Sequence, residues 1–93
     1  MINVTERAKE RLKSMLSSKV DNSQAALRLT HASEGQFGLY IDVEIPGDKV
    51  VKHKGKKVLV LNSEMASSLD GATLDVEFAP DGPELVMFYK TQR

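Results

Sequence analysis

The chain of 93 residues contains no cysteine and no tryptophan, and only 5% of its residues are aromatic. Without thiols it has no disulfide framework, no thiolate metal site and no cysteine nucleophile. No apolar run approaches the ~20 residues that a membrane span needs. The opening Met-Ile-Asn-Val-Thr-Glu-Arg has neither the basic nor the apolar region of a signal peptide, so a cytoplasmic protein with no membrane partner is expected. Net charge is missing as well: 13 Lys and Arg balance 13 Asp and Glu. No global field therefore draws the chain to nucleic acid or anionic lipid. Its glycines are isolated, and neither Gly35-x-x-Gly38 nor Gly82 forms a phosphate loop.

What is present fits one domain. A compact chain of this length has a radius of gyration of about 12 Å and buries roughly 60 to 65% of its unfolded surface, enough to fold without disulfide or metal staples. The zero net charge is a sum of opposed regions. Residues 1 to 45 carry six charges of each sign, residues 46 to 57 carry five lysines against Asp48, and residues 58 to 93 carry two cations against six carboxylates.

Val4, Ala8, Leu12, Met15 and Leu16 recur at helical spacing with charged residues between them, which predicts an amphipathic helix from about Glu6 to Ser17 with Thr5 as its N-cap. A polar linker, 18 to 23, follows. Leu27, Leu29 and His31 then alternate with Arg28 and Thr30 as a strand. After a polar loop, Phe37, Leu39, Ile41, Val43 and Ile45 form one face of the clearest strand, expected to be core, opposite Gly38, Tyr40, Asp42 and Glu44. Pro46-Gly47-Asp48 is a turn, and Lys49 to His53 and Lys57 to Leu61 make a hairpin around Lys54-Gly55. Asn62 or Ser63 caps a short helix holding Met65, Ala66 and Leu69, with Gly71 as terminator. Leu74, Val76 and Phe78 lie on another strand, Pro80 to Pro83 breaks it, and Leu85 to Tyr89 forms the last. The fold class is α+β, mainly β, with antiparallel or mixed pairing, because two short helices do not supply the crossovers of a parallel sheet.

Several of these segments together resemble the HesB/IscA-like family, the A-type carriers of iron-sulfur cluster assembly. They are Val4-Thr5-Glu6-Arg7-Ala8 through Leu16, Leu27-Arg28-Leu29, and Phe37-Gly38-Leu39-Tyr40-Ile41-Asp42. Asp48, Gly55, Val58 to Leu61, Leu69-Asp70-Gly71 and Leu74-Asp75 follow in the expected order. The resemblance covers roughly residues 2 to 88 and implies two small mixed sheets packed together, an N-terminal helix, one short internal helix and self-association as a homodimer. An iron-sulfur assembly protein or a redox protein is the partner it suggests. The family's first cysteine falls at Ala32, or at Glu34 or Gly35 if the alignment slips. The closely spaced pair near the C-terminus finds no counterpart in Tyr89-Lys90-Thr91-Gln92. Clusters of iron and sulfide depend on anionic sulfur, with imidazole an occasional substitute. The neutral thioethers of Met15, Met65 and Met87 do not replace it and read as core fillers.

Other candidate chemistry is sparse. His31 adjoins the loop of the missing ligand, yet one imidazole is not a site, and it reads as a packed or hydrogen-bonded histidine. Asp42 with Glu44 and Asp75 with Glu77 would offer a hard cation four carboxylates if their strands were neighbours; otherwise such alternation marks a solvated face. Lys49, Lys52, Lys54, Lys56 and Lys57 form the candidate interaction surface, for an anionic ligand or an acidic protein. No aromatic residue interleaves them, which argues against single-stranded nucleic acid. Hydroxyls occur without a nucleophile elbow or a His and Asp relay. The sequence therefore predicts a non-enzymatic, cysteine-less relative of the carriers, without cofactor or catalytic residue, acting as an accessory or interaction module. The alternative is a binding module for an anionic ligand or acidic protein centred on the Lys49 to Lys57 hairpin.

Overall fold

The structure is a computed structural model and describes residues 2–17, 24–33 and 36–89, apart from the side chains of Ser33 and Gln36. The 18 to 23 linker, and the alternative ligand positions Glu34 and Gly35, lie outside the described residues. Helix α1 spans Glu6–Ser17. The Thr5 hydroxyl accepts the Ala8 N–H at 3.2 Å and the Thr5 carbonyl accepts that of Lys9 at 2.9 Å, which satisfies two of the helix's first amide donors. Ala8, Leu12 and Leu16, four residues apart, form its buried stripe.

A three-stranded sheet contains β1 (Asn3–Val4), β6 (Ala72–Ala79) and β7 (Gly82–Tyr89) in the order β1-β6-β7. A four-stranded sheet contains β2 (Ala25–Ser33), β3 (Gln36–Val43), β4 (Lys49–His53) and β5 (Lys56–Leu61) in the order β3-β2-β5-β4. Both are mixed: β1 runs parallel to β6 and β2 parallel to β5, while the remaining pairs are antiparallel. Strand β1 escapes the sequence pattern because two residues are too short to show alternation.

Central position explains why β5 reads as a continuous apolar run, since Val58, Leu59, Val60 and Leu61 are all fully buried. Leu27 lies beside Leu59 in the parallel register, and α1 packs against β2, β4, β5 and β6. One core thus joins Leu12 and Leu16 of the helix to Leu27, Leu29, Leu59 and Leu61 of one sheet and Leu74 and Val76 of the other. Each fully buried leucine contributes about 1.5 to 3 kcal/mol of transfer free energy. Helix α2 (Ser63–Ser68) starts where Asn62 Oδ1 accepts the Met65 N–H at 2.8 Å. Gly71, at φ 87°, leads out of the turn that follows, a conformation that a Cβ disfavours.

Two expectations need correction. The Phe37 to Ile45 face is not core throughout: Leu39 packs against the core, whereas Phe37, Ile41, Val43 and Ile45 are exposed. Strand β3 is at the sheet edge, and α1 covers the other three strands instead. The Pro80 to Pro83 segment is narrower than a break, because Pro80 and Asp81 make the turn and pairing resumes at Ala79 with Gly82. Pro83 fits there because β7 is an edge strand, where a missing N–H is tolerated.

Candidate functional site

Strands β2 and β3 meet at a hairpin end that holds Ala32. The register shifts between His31 and Ser33, and the exposed Ala32 sits at that irregularity. Its Cβ lies 3.5 Å from where a side chain on Gly38 would begin. His31, one residue before, is exposed rather than packed within the core. Its ring stands 5.3 Å from that of its cross-strand neighbour Phe37, an aromatic contact at the edge of the sheet. Ala32 offers only a methyl group and His31 one imidazole, so the residues at this position do not fit a thiolate-held cluster.

The strand carboxylates are not gathered. Asp42 is on β3 in one sheet and Asp75 on β6 in the other, so the four-carboxylate arrangement does not form. Among the described residues no group of three or more acidic or histidine side chains is placed to hold a metal ion. Nor do these two aspartates mark a merely solvated face. Asp75 accepts the Thr5 hydroxyl at 2.7 Å, the Val76 N–H at 2.8 Å and Arg7 Nη2 at 3.1 Å. The Thr5 hydroxyl first, then the Val76 N–H and Arg7, hold its carboxyl below the usual range. Asp75 thereby ties the start of α1 to β6.

Asp42 belongs to a clasp that the sequence reading missed. Alternation puts Arg28 on the side of β2 opposite Leu27 and Leu29, yet its side chain is only 9% exposed, and that of Asp48 only 1%. Arg28 Nε donates to Asp42 at 2.6 Å, its Nη2 to Asp48 at 2.6 Å and its Nη1 to the other Asp48 oxygen at 3.1 Å. Asp48 also accepts the Ile45 N–H at 2.9 Å. Hydrogen bonding to Arg28 is the largest cause that lowers both carboxyl pKa values, and the two aspartates raise that of Arg28 against the opposing effect of burial. The clasp fastens the Pro46-Gly47 turn to β2. A signal was available: Arg28 pairs with Tyr40, and that register puts Asp42 on its diagonal.

The lysines of the candidate surface come from one hairpin but are distributed by it. Lys52 pairs with Lys57 across the strands, and His53 with Lys56, after a bulge beyond Val51. Neighbours on a strand point to opposite faces, so these pairs occupy different sides. Lys57 is committed to Glu44 at 3.0 Å and to Gln24 at 3.3 Å. Lys49 lies at the far end, lining an open cleft with Ser63, Ala66, Ser67 and Asp70. Lys54 is exposed in the turn, and His53 beside it is 4% exposed.

An apolar seam runs between the sheets. Leu29, Phe37 and Leu39 face Leu74, Leu85 and Met87 around a cavity of about 160 Å³. Its borders are the edge strands β3 and β7, whose backbone ladders are open to a further strand. No helix among the described residues is long and apolar enough to cross a membrane.

No family model and no curated protein sequence matches the chain. Solved structures do. SufA of Escherichia coli, involved in the biosynthesis of iron-sulfur clusters, superposes with a TM-score of 0.70 over 95% of this chain and 84% of its own, at 16% identity. IscA holding a [2Fe-2S] cluster gives 0.64 over 96% and 85%, at 17% identity. A protein from Aquifex aeolicus, solved by solution NMR, gives 0.70 over 96% and 91%, at 22% identity. These likenesses establish the architecture: two helices and two mixed sheets arranged as in SufA and IscA.

Proposed function

We propose that this chain is a non-enzymatic, single-domain relative of the iron-sulfur carriers that does not ligate a cluster itself. It acts in the cytoplasm as an accessory or protein-interaction module and associates as a homodimer. The observation that carries the reading is the hairpin end at Ala32. A fold like that of IscA holding a cluster here presents a methyl group where the resemblance puts the first thiolate, in a chain with no cysteine. Soft sulfur anions are what a cluster of iron and sulfide needs, and oxygen or lone imidazole donors do not replace the set. The exposed apolar residues along β3, beside an open edge, supply a surface suited to protein contact.

Anaerobic incubation of the purified chain with ferrous iron and sulfide tests this reading. After desalting, the expected result is no retained iron and no visible charge-transfer band. A stable chromophore at a fixed iron stoichiometry defeats it.

A further inference from the structure

We propose that a second site, a cleft between α1 and the Lys54 turn, binds a phosphate group. Glu10 with Lys13 and Ser14, and these two with Ser17, are three or four residues apart, so the four share one face of α1, and that face forms one wall of an open cleft of about 370 Å³. His53 and Lys54 form the other wall. Two ammonium groups, two hydroxyls and an imidazole therefore converge from two separate elements, a donor set suited to a tetrahedral oxyanion.

His53 supports the assignment. It is 4% exposed yet lines the cleft, and its Nδ1 stands 3.6 Å from Glu6 Oε2. Among the described residues no hydrogen bond occupies its other ring nitrogen, so a donor or acceptor remains for a guest. The turn is a second mark. Lys54 holds φ 52° and Gly55 φ 82°, a pair of left-handed residues in a two-residue hairpin loop, where asparagine or glycine is usually found first. A lysine is strained there, at a position that lines the cleft. Of the described carboxylates, Glu10 is on the walls and Glu6 stands against His53, so the anion belongs beside Lys13 and Lys54.

The site does not depend on the cluster question, because it shares no residue with the Ala32 hairpin end. The probes are inorganic phosphate and glycerol 3-phosphate, titrated into the isotopically labelled chain at low ionic strength. Saturable amide shifts at Lys13, Ser14, Ser17, His53 and Lys54 are expected, in common for a free phosphate and a monoester. Removing either ammonium group, by Lys13→Gln or Lys54→Gln, weakens binding about tenfold, the loss of one charge-assisted contact. Glu10→Gln strengthens it severalfold, and Lys49→Gln leaves it unchanged. Lys54→Gly provides the sharpest readout, with a higher melting temperature and weaker phosphate binding in one protein. Absence of saturable shifts, or shifts centred on Lys49, Lys52 and Lys57, overturns the proposal. So does phosphate binding that weakens with Glu10→Gln, because removing a carboxylate beside an anion relieves repulsion.

Discussion

Replacing Asp48 by alanine removes the deepest member of the Arg28 clasp. Its side chain is 1% exposed and receives both Nη1 and Nη2 of a guanidinium that is itself 9% exposed. The variant keeps the cation buried and leaves it with Asp42 and the Val43 carbonyl, 3.2 Å away. Breaking a buried pair from one side costs about 3 to 5 kcal/mol, because the other charge stays desolvated. A domain of this size has only about 5 to 14 kcal/mol in total, so Asp48→Ala puts folding near its limit. In urea, with a slope of about 1.5 kcal/mol/M, the far-ultraviolet dichroism midpoint falls by about 2 to 3 M. Asp42→Ala loses less, since the Asp42 side chain is 34% exposed and water replaces part of its role. The double variant Arg28→Met/Asp48→Ala removes the stranded charge and is more stable than the two single losses sum to. A midpoint for Asp48→Ala equal to that of the parent, or above that of Asp42→Ala, refutes the reasoning.

The carboxyls of Asp42, Asp48 and Asp75 all sit below their ordinary value of 3.8, so on acidification the unfolded chain takes up protons first. Stability is then level above about pH 5 and falls as the pH passes downward through the depressed carboxyl range; urea midpoints across pH check this, and Asp48→Asn makes the fall shallower. Thr5→Ala deletes the α1 cap and the bond to Asp75 together, which costs about 1 to 2 kcal/mol in the same assay, and Thr5→Ser restores most of it. Ile41→Glu changes an exposed residue on β3 and shifts stability by no more than about 0.5 kcal/mol. If the parent is the homodimer proposed above, light scattering on that variant is expected to give a monomer. An unchanged subunit count excludes the exposed face of β3 at Ile41 from the interface.

Local pattern reaches as far as the elements that local pattern controls. Helix α1, its Thr5 cap, the α2 cap to within Asn62 or Ser63, and the hairpin at Lys54-Gly55 were all legible, because periodicity and turn chemistry fix them within a few residues. Three features depended on contacts distant in sequence. Strand β1 exists through its pairing with residues 73 and 74. Phe37, Ile41, Val43 and Ile45 are exposed because α1 lies over the other strands. Arg28 is buried because Asp48, 20 residues away, meets it at the turn. Alternation marks two faces of a strand but does not say which is covered. The candidate lysines show the same limit: five in nine residues read as one patch, while a bulge and the pleat divide them, and Lys13, which faces Lys54 across the cleft, belongs to a helix some 40 residues earlier.

This fold does not rest on the position where the resemblance puts a thiolate ligand. Its stabilising groups, the buried strand β5, the stripe of α1, the Arg28 clasp and the tie from Asp75 to Thr5, involve no residue of the Ala32 hairpin end. Ala32 is exposed, and a side chain begun at nearby Gly38 would meet its Cβ only at an ordinary contact distance of 3.5 Å. Exchanging a ligand for a methyl group at such a position changes little packing, and surface changes of this kind usually alter stability by less than about 0.5 kcal/mol. Architecture and ligand set are therefore separable by physics here, and the shared fold carries no activity with it. What the chain does is to be sought where its own side chains converge: on the apolar seam and in the basic cleft at Lys54.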